Sequence, residues 1–92
     1  MKIRISLIHR CGYHKWLELV NAQVLCRAIR RITGRHWHNS NKKYRQFYEF
    51  YQQQLSGLGR DDRKELNEFI ARNDFDLDGY QVRQFMNEQL VC

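Results

Sequence analysis

The stretch WLELVNAQVLCRAIRRITGRHWHNSNKKYR, Trp16 to Arg45, decides how the chain is read. It opens on an apolar helix pattern that carries Arg27, Arg30 and Arg31. It breaks across Gly34 to Asn39 and resumes through Lys42, Lys43 and Arg45 into an aromatic run. Basic side chains alternating with flat aromatic ones suit a nucleic-acid surface, because charge holds phosphates while rings stack on bases.

At 100° per residue, Leu17, Val24, Leu25, Ala28, Ile29 and Ile32 gather on one side of a helix from about His14 to Thr33. Gly34 is a natural stop. Arg27, Arg30 and Arg31 fall within about a third of the circumference, away from the apolar side. The macrodipole also favours cations near a helix C-terminus by about 0.3 to 1 kcal/mol, so a solvated helix end is a second explanation of these arginines.

Asn39 or Ser40 can cap a second helix running to about Leu55. Read as a helix, Tyr44, Phe47, Tyr48, Tyr51 and Leu55 form one stripe with Phe50 outside it; read as a strand, residues 44–51 divide their rings between two faces. Glu49 and Gln52 to Gln54 favour the helix. The stripe is expected in the core, with Phe50 and Trp37 as the exposed rings.

Before the central stretch, Ile3, Ile5 and Leu7 alternate with Lys2, Arg4 and Ser6 from Met1 to His9, the period of a half-buried strand. Such a strand needs a partner, from residues 35–39, from the aromatic run or from a second chain. Arg10 to Tyr13, with Gly12, forms the turn out of it.

After the central stretch, Ser56-Gly57-Leu58-Gly59 is the clearest break. Asp62 with Glu65 has capping-box spacing for a short helix edged by Leu66, Phe69 and Ile70. A loop from Asn73 to Gly79 follows. Asp78 with Gln81 is a second capping box, Leu77 and Val82 are placed as a hydrophobic staple, and Val82, Phe85, Met86 and Leu90 line the last helix. The fold expected is a small, mainly helical α+β domain spanning residues 1–92. It has an N-terminal strand and about four helices, the last two forming an acidic hairpin.

Ninety-two residues bury only roughly 60 to 65% of the unfolded surface, so the stability margin is thin. The net charge of +6 is unevenly divided. Residues 1–60 hold twelve Lys and Arg against Glu18 and Glu49, a net of +10, and residues 61–92 hold four basic and eight acidic groups, a net of −4. A basic body and an acidic hairpin would orient an anionic partner as well as attract it. Cys11, Cys26 and Cys92 cannot all pair within one chain, and no leader is recognisable, which reads as a reduced cytoplasmic protein. No apolar run is long enough to span a membrane.

No motif carries a specific chemistry, and no cofactor is expected. Residues 74–79, Asp-Phe-Asp-Leu-Asp-Gly, open like an EF-hand calcium loop, but its twelfth position is Phe85 where a bidentate glutamate belongs. His9, Cys11 and His14, with Cys26, His36 and His38, match no zinc spacing. Acid–base catalysis by the four histidines, as in RNA cleavage, lacks carboxylate partners in the basic body. A helix-turn-helix reading would have the last helix present Gln81, Arg83, Gln84 and Asn87 to base edges, but three carboxylates precede it.

The function expected is therefore non-enzymatic binding of RNA, single-stranded nucleic acid or a ribonucleoprotein. Arg27, Arg30, Arg31, Arg35, Lys42, Lys43 and Arg45 would contact phosphates, and His36, Trp37 and His38 would touch bases or a protein. If six such cations met phosphates, affinity would fall about a thousandfold or more between 50 and 200 mM salt. The alternative partner is a basic protein docked on the acidic hairpin. No residue motif resembles a known family; by size and lack of motifs alone, the chain would suit the small inhibitor proteins of phages, including anti-CRISPR proteins that block a nucleic-acid-handling complex. That likeness carries no residue assignment.

Overall fold

Five helices make up the regular structure of a computed structural model that describes residues 6–33, 42–75 and 77–90. They are α1 (Leu7–Cys11), α2 (Tyr13–Thr33), α3 (Lys42–Leu55), α4 (Arg60–Asn73) and α5 (Gly79–Leu90). No strand occurs among the described residues. None of these helices is long and apolar enough to cross a membrane.

The expected N-terminal strand is replaced by a helix from Leu7 onward. Residues 1–5 lie outside the described residues, but Leu7, the last apolar member of the alternation, begins α1. Leu7 is buried, with Ile8 and Cys11 packed beside it at helical spacing. The proposed strand partner in the aromatic run is itself helical, and residues 35–39 lie outside the described residues. A lone strand leaves its backbone groups unpaired, whereas a helix satisfies them internally.

A carboxylate from α4 fixes where α1 starts. Ser6 is extended and makes no side-chain cap. Instead the Leu7 amide donates to Glu65 Oε2 at 2.8 Å, and Arg10 forms an ion pair with Asp62. Asp62 and Glu65 therefore do not build the capping box expected of them. Helix α4 begins earlier, at Arg60 after an extended Gly59. Gly12, at φ 87°, then separates α1 from α2 in a conformation that side chains with a Cβ disfavour.

Helix α2 is the element on which α1, α3, α4 and α5 all pack. Its buried residues explain this: Ala22, Val24, Leu25, Cys26, Ala28 and Ile29, at 100° per residue, leave only one arc of the helix polar. The wheel drawn from sequence was too narrow, because it omitted Trp16, Leu19, Val20 and Ala22, all buried. It also counted Leu17 and Ile32, which are 39% and 38% exposed.

The aromatic stripe of α3 closes over α2. Tyr51 and Leu55 are buried, while Phe47 and Tyr48 are half-buried against both parts of the core. Arg63 donates to the Leu55 carbonyl at 3.3 Å and so holds the end of α3 across the Ser56–Gly59 break. Helix α4 reaches α2 through Trp16 and Phe69, edge to face at 5.2 Å, and through Gln23 Nε2 donating to Asn67 Oδ1 at 2.8 Å.

Helix α5 starts as its sequence predicts. The Gln81 amide donates to Asp78 Oδ1 at 2.8 Å and the Asp78 amide donates to Gln81 Oε1 at 3.0 Å. Val82 and Met86 then pack on Ala28 and Ile29, with Leu77 beside them. The acidic hairpin is the second correction: α4 and α5 each pack on α2 rather than principally on each other. Both have an apolar edge to bury, and α2 is the larger apolar surface.

Substitutions at two positions test this arrangement. Ile29→Ala empties a site that is 1% exposed and should cost about 2 to 5 kcal/mol in urea unfolding. Glu65→Ala should speed amide exchange in α1 with a global loss of about 1 to 3 kcal/mol, while Glu65→Gln, which keeps an acceptor, should lose less.

Candidate nucleic-acid interface

Cys26 Sγ lies 3.9 Å from the Tyr48 carbonyl, and Tyr44 packs on the cluster of Ala28 and Ile29. Residues later in α2 thus meet residues earlier in α3, and the two helices run antiparallel. The C-terminal end of α2 and the N-terminal end of α3 consequently share one end of the pair. Arg27 and Arg30 are exposed on the first helix at that end, and Lys42, Lys43 and Arg45 on the second. Among the described residues no ion pair engages Arg27, Arg30, Lys42 or Arg45.

The helix dipole separates these cations into two kinds. Arg30 and Arg31 occupy the last turn of α2, where positive charge is favoured. Lys42 and Lys43 stand in the first turn of α3, which holds no acidic residue. Positive charge there opposes the macrodipole by about 0.3 to 1 kcal/mol per group. A bound anion would reverse that penalty, since it is attracted by the lysines and by the helix N-terminus alike.

Not every predicted contact is available. Arg31 Nη2 donates to the Leu77 carbonyl at 2.6 Å and so fastens the approach to α5 onto α2. Arg35, His36, Trp37 and His38 lie outside the described residues. Phe50 is 55% exposed, as expected of a ring outside the stripe.

The acidic segment is partly consumed within the fold. Asp62 and Glu65 hold α1, and Asp78 caps α5. The same cap occupies the Gln81 side chain that a helix-turn-helix reading needs for base contacts. Arg83, Gln84 and Asn87 are exposed. Asp74 ends α4 in the left-handed conformation at φ 56°, which Asp adopts more readily than most residues. Among the described residues no three His, Cys, Asp or Glu side chains come together as metal ligands. His9 and His14 are exposed on α1 and α2.

Sequence reasoning missed three internal fasteners: Arg63, Glu65 and Asp62. Only the capping spacing of the two carboxylates signalled anything, and it pointed to the wrong helix. Cys26 is buried, and burial pushes its thiol up to about 11, with the Arg63 charge acting the other way. Tyr51 is raised by burial first and by the neighbouring Cys26 second.

No protein-family model matches the chain, and no curated protein or solved structure matches it either.

The Cys26 shift gives a pH dependence with a definite sign. The thiol ionises near 9.0 when unfolded and near 11 when folded, so the unfolded chain releases its proton first and folding weakens as pH rises. Urea midpoints should hold up to about pH 9 and fall between pH 9 and about 11. Cys26→Ala should make that fall shallower.

Proposed function

We propose that the protein binds RNA or single-stranded nucleic acid through the end of the α2–α3 pair, without chemistry of its own. The observation that supports this reading is that Arg27 and Arg30 in the C-terminal half of α2, and Lys42, Lys43 and Arg45 in the first turns of α3, are all exposed on two antiparallel helices. Eleven residues of sequence separate the two groups, and the packing of Tyr44 and Tyr48 sets the start of α3 beside the end of α2. Lys42 in the first turn of α3 favours an anion over mere solvation, because solvation alone leaves it opposed to the helix dipole. A ribonucleoprotein target, including one that a phage-type inhibitor would block, presents the same phosphates.

Fluorescence anisotropy with labelled RNA, single-stranded DNA and duplex DNA tests this directly. Five phosphate contacts on a single strand predict an affinity loss of about 100-fold between 50 and 200 mM salt. Arg27→Gln with Arg30→Gln should lower the slope of log affinity against log salt by about 1.4. Tight binding that is insensitive to salt, or no binding at 50 mM, would rule the reading out.

A further inference from the structure

A groove opens along the first half of α2, away from the basic end. It encloses about 1110 Å³ between α2, the second half of α3, the end of α4 and the face of α5. Trp16, Tyr51, Phe69 and Phe85 lie along its floor. Tyr13, Leu17, Phe50 and Phe75 stand on its walls and are 62, 39, 55 and 47% exposed. Large apolar side chains gathered on one face of a small domain mark a contact surface more often than chance exposure does.

The charge of the groove is opposite to that of the chain. Its only charged lining residues among those described are Glu18 and Asp74, on a protein of net charge +6. Lys15 approaches Glu18 at 3.6 Å from one turn back, both side chains being at least half exposed. Such a pair is weak and yields readily to a better-placed cation.

These features discriminate among occupants. A nucleic acid would bring phosphates against two carboxylates. A second copy docked groove to groove about a two-fold axis would set Glu18 and Asp74 against the same residues of its partner. An extended peptide finds no sheet edge among the described residues and would leave its backbone groups unpaired. A helix arrives with its backbone already satisfied, and the groove follows α2 from Tyr13 to Leu25, a length of about 18 Å.

We propose that this groove docks an amphipathic helix of a protein partner, about three turns long. Its apolar stripe lies on Leu17, Phe50 and Phe75, and its basic margins face Glu18 and Asp74. This surface is separate from the basic end: Leu17 and Arg30 are about 20 Å apart along α2.

The test uses three labelled synthetic peptides of about 14 residues. One carries a Leu stripe at helical spacing with Lys and Arg elsewhere, the second keeps the stripe with Glu elsewhere, and the third scrambles the basic peptide so that no stripe forms. The basic striped peptide should bind saturably and at least about tenfold more tightly than the scrambled one. Leu17→Ser with Phe50→Ser, both at exposed positions, should abolish that preference while leaving the circular-dichroism spectrum and the RNA affinity unchanged. Glu18→Gln with Asp74→Asn should weaken the basic peptide severalfold, Asn being well suited to the left-handed position of Asp74.

Equal binding of the striped and scrambled peptides would overturn the proposal, as would an unaltered preference after Leu17→Ser with Phe50→Ser. Failure of the basic peptide to bind at about 200 µM would also overturn it. So would a sedimentation-defined dimer that Leu17→Ser dissociates, which assigns the groove to a second copy. Binding of the acidic peptide as tight as that of the basic one, and equally lost on Leu17→Ser with Phe50→Ser, would overturn the charge assignment of the groove. Because the RNA assay depends on Arg27 and Arg30 and not on Leu17 or Phe50, either surface can fail alone.

Discussion

The need to bury α2 on nearly every side governs the rest of the structure. From Ala22 to Ile29 the helix carries apolar residues around most of its circumference, and only the arc holding Gln23, Arg27, Arg30 and Arg31 tolerates water. A helix of that kind is unstable unless it is surrounded. The other four helices are short or modestly amphipathic, and none forms a core without it. The aromatic stripe of α3, the Leu66–Ile70 edge of α4 and the Val82–Met86 edge of α5 are complementary coverings of one central rod.

Charge plays two roles in this arrangement. Along the sequence, acidic residues collect after Asp61, which suggests an acidic pole. In space, Asp62, Glu65 and Asp78 are spent on internal contacts with Arg10, the Leu7 amide and the Gln81 amide. Hydrogen bonds of this kind define helix ends that propensity leaves open, and they anchor α1, which is too short to persist alone. The exposed ion pairs add little to stability. Arg27, Arg30, Lys42 and Arg45, at the α2–α3 end, have no such ion pair among the described residues. That contrast makes the basic end the more informative surface.

Much of the fold could be read from local patterns, and what could not was tertiary in origin. The Asp78–Gln81 box and the aromatic stripe each rest on residues within about three turns of one another, and the span of α2 rests on a pattern continuous along its own helix. Residues 44–51 were correctly assigned to a helix because Tyr44, Phe47, Tyr48 and Tyr51 share one face only at that period. Leu7 was misread because a single apolar residue satisfies both an alternating and a helical pattern, and the group that decides between them is Glu65, 58 residues away. The same distance effect hid the separate docking of α4 and α5, since an apolar edge does not reveal which surface covers it. At the candidate site, the identity of the cations was legible, but the antiparallel packing of α3 on α2 was not. The removal of Arg31 from the set depended on a carbonyl 46 residues away.

Helix α2 runs uninterrupted for 21 residues, which at 1.5 Å per residue is about 30 Å. It contains neither proline nor glycine between Tyr13 and Thr33, and four helices brace it. It therefore behaves as a ruler. Any assembly that touches both of its ends at once must offer two features about 30 Å apart, since nothing in its sequence provides a kink. Selection by spacing needs no base-reading side chain and no specific chemistry, only a stiff element of the right length.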